Sequence, residues 1–505
     1  MKLVPLCIAF FLTSALLPAL TPQRTPGPAQ DLSRPNVILI LVDDMGWSDL
    51  GCYGSEVATP HLDRLAREGM RFTQAYNTSK CFPSRACLLT GLYARRTGYH
   101  EGFRQPMRNA MTLGELFKEA GYITLFSGKH HSTERPTTRG FDHYSGLLDG
   151  ASNHFNPGPR REGEGKPAQK RPNRKWVIDG ELFQPYAPEK GFFTTDAFTD
   201  YALDWLEGYR DDERPVFLYL SYTAPHDPLM AWPEDIAKYR GAYNAGYRAI
   251  REERFARQKA IGLLNDDHPL SEASYDPWSE LSEAEQQEKA RKMEVYAAMI
   301  DSLDQNIGRL LARLEALGMR ENTLILFASD NGASSRVVDI RHGDSAIGSI
   351  GYWSSQGRNW ANVSNTPLRF YKNWSHEGGI KTPLIAHWPE GISGADRIET
   401  TPVHFIDFLP TFAEILEVDF PKQFKGEALT PLDGISFLPL FAGRAIERAE
   451  PLFWQWAHGK AIRQGDWKAV AHKDEWALYN LDKDPVEAHD LAELHPDKLK
   501  RLIAT

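Results

Sequence analysis

Residues 36–44 read NVILILVDD, from Asn36 to Asp44. Six consecutive apolar residues, most of them β-branched, form the pattern of a strand covered on both faces. Such strands belong to parallel sheets, so the run predicts an α/β fold. It ends in two adjacent carboxylates, Asp43 and Asp44. Ligand sites in open α/β sheets form just beyond the carboxyl ends of strands. Paired acids there point to a hard cation, although helix caps use the same residues.

Three further apolar runs end in polar groups of the same kind. TLILFASDNG delivers Asp330 and Asn331, PVFLYLSY leads through TAPHDP to His226, and YITLF leads to Gly128, Lys129, His130 and His131. Asp43, Asp44, Asp330 and Asn331 make four oxygen donors from two strand ends, a set that suits Ca²⁺ or Mg²⁺ and disfavours Zn²⁺. Taken alone, GKHH reads equally well as a solvated basic loop, and a lone His is usually structural.

Between these runs the helix signals are clear. TPHLDRLAREG has Thr59 at the N-cap, Pro60 at the first position and Gly69 as stop. TLGELFKEAG carries Thr112 and Glu115 at capping-box spacing and closes at Gly121. DAFTDYALDWLEGY and VHFIDFLPTFAEIL read as helices, and a long helix from about Glu283 to Leu317 repeats apolar residues at three- and four-residue steps. Residues 150–188 read as surface loops with a hairpin around WVIDGELF, and residues 232–281 as an irregular polar insertion over the site. The C-terminal part alternates in strand fashion before a closing helix, which predicts a small antiparallel sheet plus helix.

The stretch Cys81 to Gly91, CFPSRACLLTG, carries the most specific signal. A small nucleophile stands beside a proline that blocks strand pairing and an arginine that can clamp an anion. Apolar residues then lead to Gly91, as if the nucleophile sat at a helix N-terminus. A lone cysteine here would read as a buried thiol in a turn. The stretch resembles the signature of the formylglycine-dependent sulfatases, C-x-P-S-R-x-x-x-L-T-G, at every fixed position. In that family the cysteine is oxidised to an aldehyde whose hydrate attacks a sulfate ester.

The resemblance extends from about Asn36 to Ala492 and is closest to the bacterial arylsulfatase branch. It implies an alkaline phosphatase-like α/β fold: a large mixed, mostly parallel sheet flanked by helices, with the smaller C-terminal subdomain. Lys129 and His131 fall on the two functional positions of the family's GK-x-H motif, with His130 in place of its usual aromatic residue. His226 falls on a catalytic histidine, and Lys372, five residues before Glu377-Gly-Gly, on a catalytic lysine; Lys381 reads as structural. The implied metal set is Asp43, Asp44, Asp330, Asn331 and the modified Cys81, holding Ca²⁺ ahead of Mg²⁺. Arg85, Lys129 and Lys372 are implied to hold sulfate oxygens. His226 with Lys372 would protonate the leaving oxygen, and His131 would take a proton from the hydrate's second hydroxyl. The implied partners are a sulfated small molecule or glycan and a maturation enzyme. A sister family of phosphonate monoester and phosphodiester hydrolases shares the nucleophile signature, and a silent glycan-binding protein with unmodified Cys81 is the alternative outside enzymes.

The 505 residues, with 42% apolar and 25% charged side chains, allow a large buried core. A net charge of −9 argues against a nucleic-acid partner, so an anionic substrate must be drawn in by local cations. Lys2 followed by an apolar run to Leu20 reads as a signal peptide (residues 1–20), with an uncleaved anchor as the alternative. Export to the periplasm or medium follows. A linker (21–35), a catalytic domain (36–418) and a C-terminal subdomain (419–505) complete the organisation. Trp-rich loops in an exported enzyme suit sulfated glycans, because aromatic rings stack on sugar faces. Cys52 and Cys87 read either as a pair or as two buried thiols. Asn77, Asn362 and Asn373 begin sequon-like triplets.

Overall fold

The computed structural model describes Met1 and residues 34–100, 106–171 and 173–505; the expected signal peptide and nearly all of the linker lie outside the described residues. Eight strands carry the argument: β1 (Asn36–Asp43), β2 (Met70–Tyr76), β3 (Ile123–Gly128), β4 (His143–Leu147), β5 (Trp176–Ile178), β6 (Glu181–Phe183), β7 (Val216–Pro225) and β8 (Thr323–Ser329). They belong to an eleven-stranded sheet in the order Arg397–Glu399, β2, Lys381–His387, β8, β1, β7, β3, β4, β5, β6, with Val403–His404 also paired to β2. The run β8–β1–β7–β3–β4 is parallel throughout. Lys381–His387 is antiparallel to both neighbours, and the expected hairpin forms β5 and β6 as an antiparallel extension.

The apolar run of β1 is buried on both faces, and its side chains divide between them by the period of two. Ile38, Ile40 and Val42 enter one core together with Leu62, Phe198, Ile300 and Leu303. These come from α1 (Pro60–Glu68), from the helix Thr194–Gly208, and from the long helix Glu283–Ala316. Val37, Leu39 and Leu41 enter the opposite core with Leu88, Leu116, Phe117 and Phe412. Those belong to α2 (Cys81–Thr90), α3 (Leu113–Glu119) and the helix Phe408–Ile415. At about 25 cal/mol per Å² of buried apolar surface, this two-sided packing is the main force on the sheet.

The capping box of Thr112 and Glu115 forms as expected. Thr59 does occupy an N-cap, yet its hydroxyl does not cap α1: it donates to Asp63 at 3.0 Å and accepts from the Gly51 N–H at 2.8 Å. The stretch 232–281 departs further from its reading. It contains helices Pro233–Lys238 and Gly246–Ala260, and none of its residues lines the cavity over the site described below. The second helix buries Arg251, Arg254 and Gln258 beside Tyr247 and Ile250, so its inward stripe is polar and has no apolar period to detect. Arg254 is balanced there by Asp49 at 2.6 Å and Glu56 at 2.7 Å.

At the C-terminal end, Leu452–Trp456, Gly459–Gln464, Trp467–His472 and Glu475–Asn480 form an antiparallel four-stranded sheet. The helix Pro496–Ala504 packs on it through Leu502, against Ile462, Ala469 and Leu478. Cys52 and Cys87 are free and buried. Asn77 and Asn362 are buried, which removes two of the three sequon-like sites from solvent. No helix among the described residues is long and apolar enough to cross a membrane.

Candidate active site

Parallel pairing decides where the polar groups meet. β8, β1, β7 and β3 are consecutive neighbours running the same way, so their carboxyl ends share one edge of the sheet. At or just beyond those ends stand Asp330 with Asn331, Asp43 with Asp44, His226, and Lys129. β3 ends at Gly128, where φ is 111° and a Cβ would lie 1.9 Å from the Ser221 carbonyl oxygen. This close approach lets the Lys129 N–H donate to Ser221 O at 2.7 Å.

Cys81 is the first residue of α2, where free N–H groups and the helix dipole favour an anion. The turn before it is tied down by two local hydrogen bonds and one long-range one. Thr78 N–H donates to Ser84 Oγ at 3.0 Å, Ser79 N–H to Asn77 Oδ1 at 3.1 Å, and Asn77 Nδ2 to the Ser329 carbonyl at 3.2 Å. The last bond joins the start of α2 to the end of β8. Arg85, one helical turn after Cys81, reaches the same place: its Nε donates to Asp330 Oδ2 at 2.9 Å and its Nη1 to the Lys129 carbonyl at 3.0 Å. Lys372 arrives from a loop pinned at two points. Its own N–H donates to the Ala333 carbonyl at 3.0 Å, and the Asn373 N–H to the Ser79 carbonyl at 2.9 Å.

Each cation meets one carboxylate. Lys129 pairs with Asp43, Lys372 with Asp44, and Arg85 with Asp330, all six side chains being buried. Isolated buried charges of either sign are costly, and the pairing compensates them. Burial disfavours ionised Asp44, but Lys372 and His226 outweigh it and hold its carboxyl far below the usual range. Burial and the neighbouring Asp43 push Asp330 up to about 6, against the pull of Arg85. Burial likewise opposes the Lys372 charge, and Asp44 more than restores it.

The acids fit a hard cation. Asp43 Oδ1, Asp44 Oδ2 and Asn331 Oδ1 are buried and, among the described residues, have no hydrogen-bond partner. The other half of Asn331 is committed, with Nδ2 donating to Asp44 Oδ1 at 2.6 Å. Asp43, Cys81 and Asp330 each offer a ligand atom within 4.8 Å of one another, as do Asp43, Asp44 and His226. Unpartnered buried oxygens aimed at one point are what an oxygen-ligated divalent ion requires.

A cavity of about 980 Å³ opens over this edge. Cys81, His131, His226 and Lys372 line it, whereas Arg85 and Lys129 are buried against their carboxylates and do not. His226 Nδ1 lies 2.6 Å from the Asp227 carbonyl, and Nε2 lies 3.6 Å from Asp44. Burial pushes its pKa down to about 4, against the opposing charges of Asp44 and Asp227. His131 stands on the wall, edge-on to Phe82 at 5.7 Å. A Cβ on Gly150 would come within 2.5 Å of its ring, so the glycine makes the room. His130 does the packing of the aromatic residue it replaces, with Phe126 at 5.5 Å and Tyr144 at 6.2 Å.

Three contributors were not apparent in the sequence. Lys80 lines the cavity immediately before the nucleophile, and its position there was the only signal. Asp227 orients His226 and could have been read from TAPHDP. His154 holds the His226 carbonyl at 3.1 Å and Thr194 Oγ1 at 2.6 Å, and it comes from a loop stretch with no pattern of its own.

The comparisons with known proteins agree with this geometry. A family model described as Sulfatase matches residues 35–418, and one described as N-sulphoglucosamine sulphohydrolase, C-terminal, matches residues 368–502. The chain is 34% identical to an arylsulfatase of Klebsiella aerogenes, over 81% of this chain and 92% of that protein. It is 25% identical to an N-acetylglucosamine-6-O-sulfatase of Bacteroides thetaiotaomicron, over 92% of this chain and 83% of that one. Among solved structures, Ps i-CgsB in complex with a neocarrahexaose superposes with a TM-score of 0.68 at 26% identity, covering 94% of this chain and 92% of that chain.

Proposed function

As the chain belongs to the sulfatase family and is a sulfuric ester hydrolase, we propose that it is an exported enzyme acting on aryl or carbohydrate sulfates through a formylglycine made from Cys81. The observation that carries this reading is the meeting of Cys81, at the start of α2, with the ends of four consecutive parallel strands. Relatives named as arylsulfatase and as carbohydrate sulfatase support both ester classes.

Asp43, Asp44, Asp330, Asn331 and the modified Cys81 would hold Ca²⁺, ahead of Mg²⁺. The ion would supply charge neutralisation for the sulfate and a lowered pKa for the attacking hydroxyl. Around it, Arg85 and Lys129 place fixed positive charge behind Cys81 in a water-poor site. Lys372 and His226 face the cavity, where they would hold the ester and give a proton to its leaving oxygen. His131, across the cavity wall, would take the proton that regenerates the aldehyde.

The test compares sulfate and phosphonate esters of one nitrophenol, with elemental analysis of the active protein. The reading expects sulfate release to dominate and calcium to be stoichiometric, with both metal and activity lost in Asp330→Ala. Preferential phosphonate hydrolysis, or stoichiometric zinc, would overturn it.

A further inference from the structure

We propose that the cavity carries a second anion subsite, formed by Arg174 and Arg336 with Lys170 and Lys80 beside them. The substrate would then be a sulfated saccharide bearing another sulfate or carboxylate near the ester that is cleaved. This narrows the substrate class of the sulfatase reading and rests on it.

All four cations line the same cavity as Cys81 and Lys372. None is needed to balance the strand-end acids, since Arg85, Lys129 and Lys372 already meet those one to one. Lys170 is fixed in place: its Nζ lies 2.6 Å from Asp227 Oδ2 and 4.4 Å from the centre of the Trp353 ring. Arg174 and Arg336 differ. Among the described residues, neither guanidinium makes a salt bridge or a side-chain hydrogen bond. Arg174 is nonetheless half-buried. Burial lowers its pKa, with Asp149 opposing from beyond salt-bridge range. A partly desolvated guanidinium without a carboxylate on it costs free energy that a bound anion would return.

The cations also crowd one another. Burial lowers the Lys170 pKa most, and Arg336 and Arg174 add to that against the pull of Asp227. Like charges gathered at one cavity are relieved by an anion between them. The wall also carries two acids, Asp149 and Asp339, which its six lysines and arginines outnumber. Asp149 accepts the Lys175 N–H at 2.7 Å, and Asp339 accepts the Tyr352 hydroxyl at 3.1 Å. In a chain of net charge −9, such a concentration of positive charge is local. The volume of about 980 Å³ lies near the upper end of the roughly 300–1,000 Å³ usual for ligand pockets. Val337, 77% exposed next to Arg336, adds an apolar surface on the same wall for a sugar face.

Binding to the Cys81→Ser protein tests the subsite without turnover. Isothermal titration would use three defined disaccharides: one monosulfated, one with a second sulfate on the neighbouring ring, and one monosulfated with a uronate there. At least one dianionic ligand should bind about tenfold or more tightly than the monosulfated one. Arg174→Ala with Arg336→Ala in the same background should abolish that difference. The arm that shows the gain identifies sulfate or carboxylate as the second group. Equal affinities for all three ligands, or a difference that survives the double substitution, would overturn the proposal. Sulfate release by the matured wild-type enzyme is scored separately. Its absence on all three sugars and on an aryl sulfate would reject the parent reading, whatever the titrations show.

Discussion

His226 illustrates how a side chain is given one task. Its Nδ1 is engaged by the Asp227 carbonyl at 2.6 Å, so Nε2 is the nitrogen left to face Asp44 and the cavity. Nε2 carries a proton only in the imidazolium, which burial disfavours, so an acid role requires the negative charge of the bound ester to restore that form. His226→Ala should then hurt esters in proportion to the basicity of their alcohol. A nitrophenolate departs readily as an anion, while a sugar hydroxyl needs its proton. Loss of kcat/KM with a sulfated sugar should approach the upper end of roughly 10²–10⁴-fold, with a smaller loss for the nitrophenyl ester. Equal losses would assign His226 to binding or organisation of the site. At this scale the sequence carried what lies in short motifs: Cys81 with Arg85, Lys129 with His131, and the two acid pairs. Lys80 had only its place beside Cys81 to mark it, and His154 was out of reach because only the folded chain brings it to the His226 carbonyl.

The loop bearing Lys372 depends on an element far away in the chain. Glu377, five residues on, accepts from Tyr76 at 2.8 Å and pairs with Lys381 at 2.8 Å and with Lys468 at 2.8 Å. Lys468 belongs to the C-terminal sheet and also holds Glu487 at 2.7 Å. The Glu377 N–H donates to Glu487 at 2.8 Å, which closes a buried network. Lys468→Met leaves two fully buried carboxylates sharing too little positive charge. It should lower stability by about 3–5 kcal/mol, read as a lower urea midpoint at unchanged m-value. A midpoint equal to wild type would show that the network is not a determinant of the fold. Lys381, read as structural, takes part here and not in the active site. Elements with strong apolar periods, such as β1, β7, β8 and the helix Glu283–Ala316, were legible because their burial is the pattern. The helix Gly246–Ala260 was not, since arginines and a glutamine fill its inward stripe.

Across the whole molecule, burial leaves several histidines neutral. It pushes His130 and His404 down to about 3 and His154 down to about 4. In the unfolded chain each would titrate near its ordinary value of about 6.5. Below that pH the unfolded state therefore binds more protons than the folded one. The stability involved is fully present above about pH 6.5 and is lost as pH falls toward about 4 for His154 and about 3 for His130 and His404, at about 1.4 kcal/mol per pH unit for each histidine. The melting temperature should fall steadily from about pH 6.5 to about pH 4.5, above the range where most carboxylates titrate, and His404→Gln should reduce the slope. A flat profile over that window would contradict neutral burial. The overall architecture was legible because the two-sided burial of β1 demands helices on both faces. The order of strands was not, since parallel neighbours such as β8, β1 and β7 are set by packing between segments hundreds of residues apart.

Catalysis depends on what stands at the first position of α2. Protein co-produced with a formylglycine-generating enzyme should be digested, and the peptide containing Cys81 examined by mass spectrometry beside the rate of sulfate release. The mass should show the thiol replaced by an aldehyde, and activity should rise in proportion to the converted fraction. Protein made without that enzyme should fold normally and be nearly inactive. Fully active protein in which Cys81 remains a thiol would contradict the account.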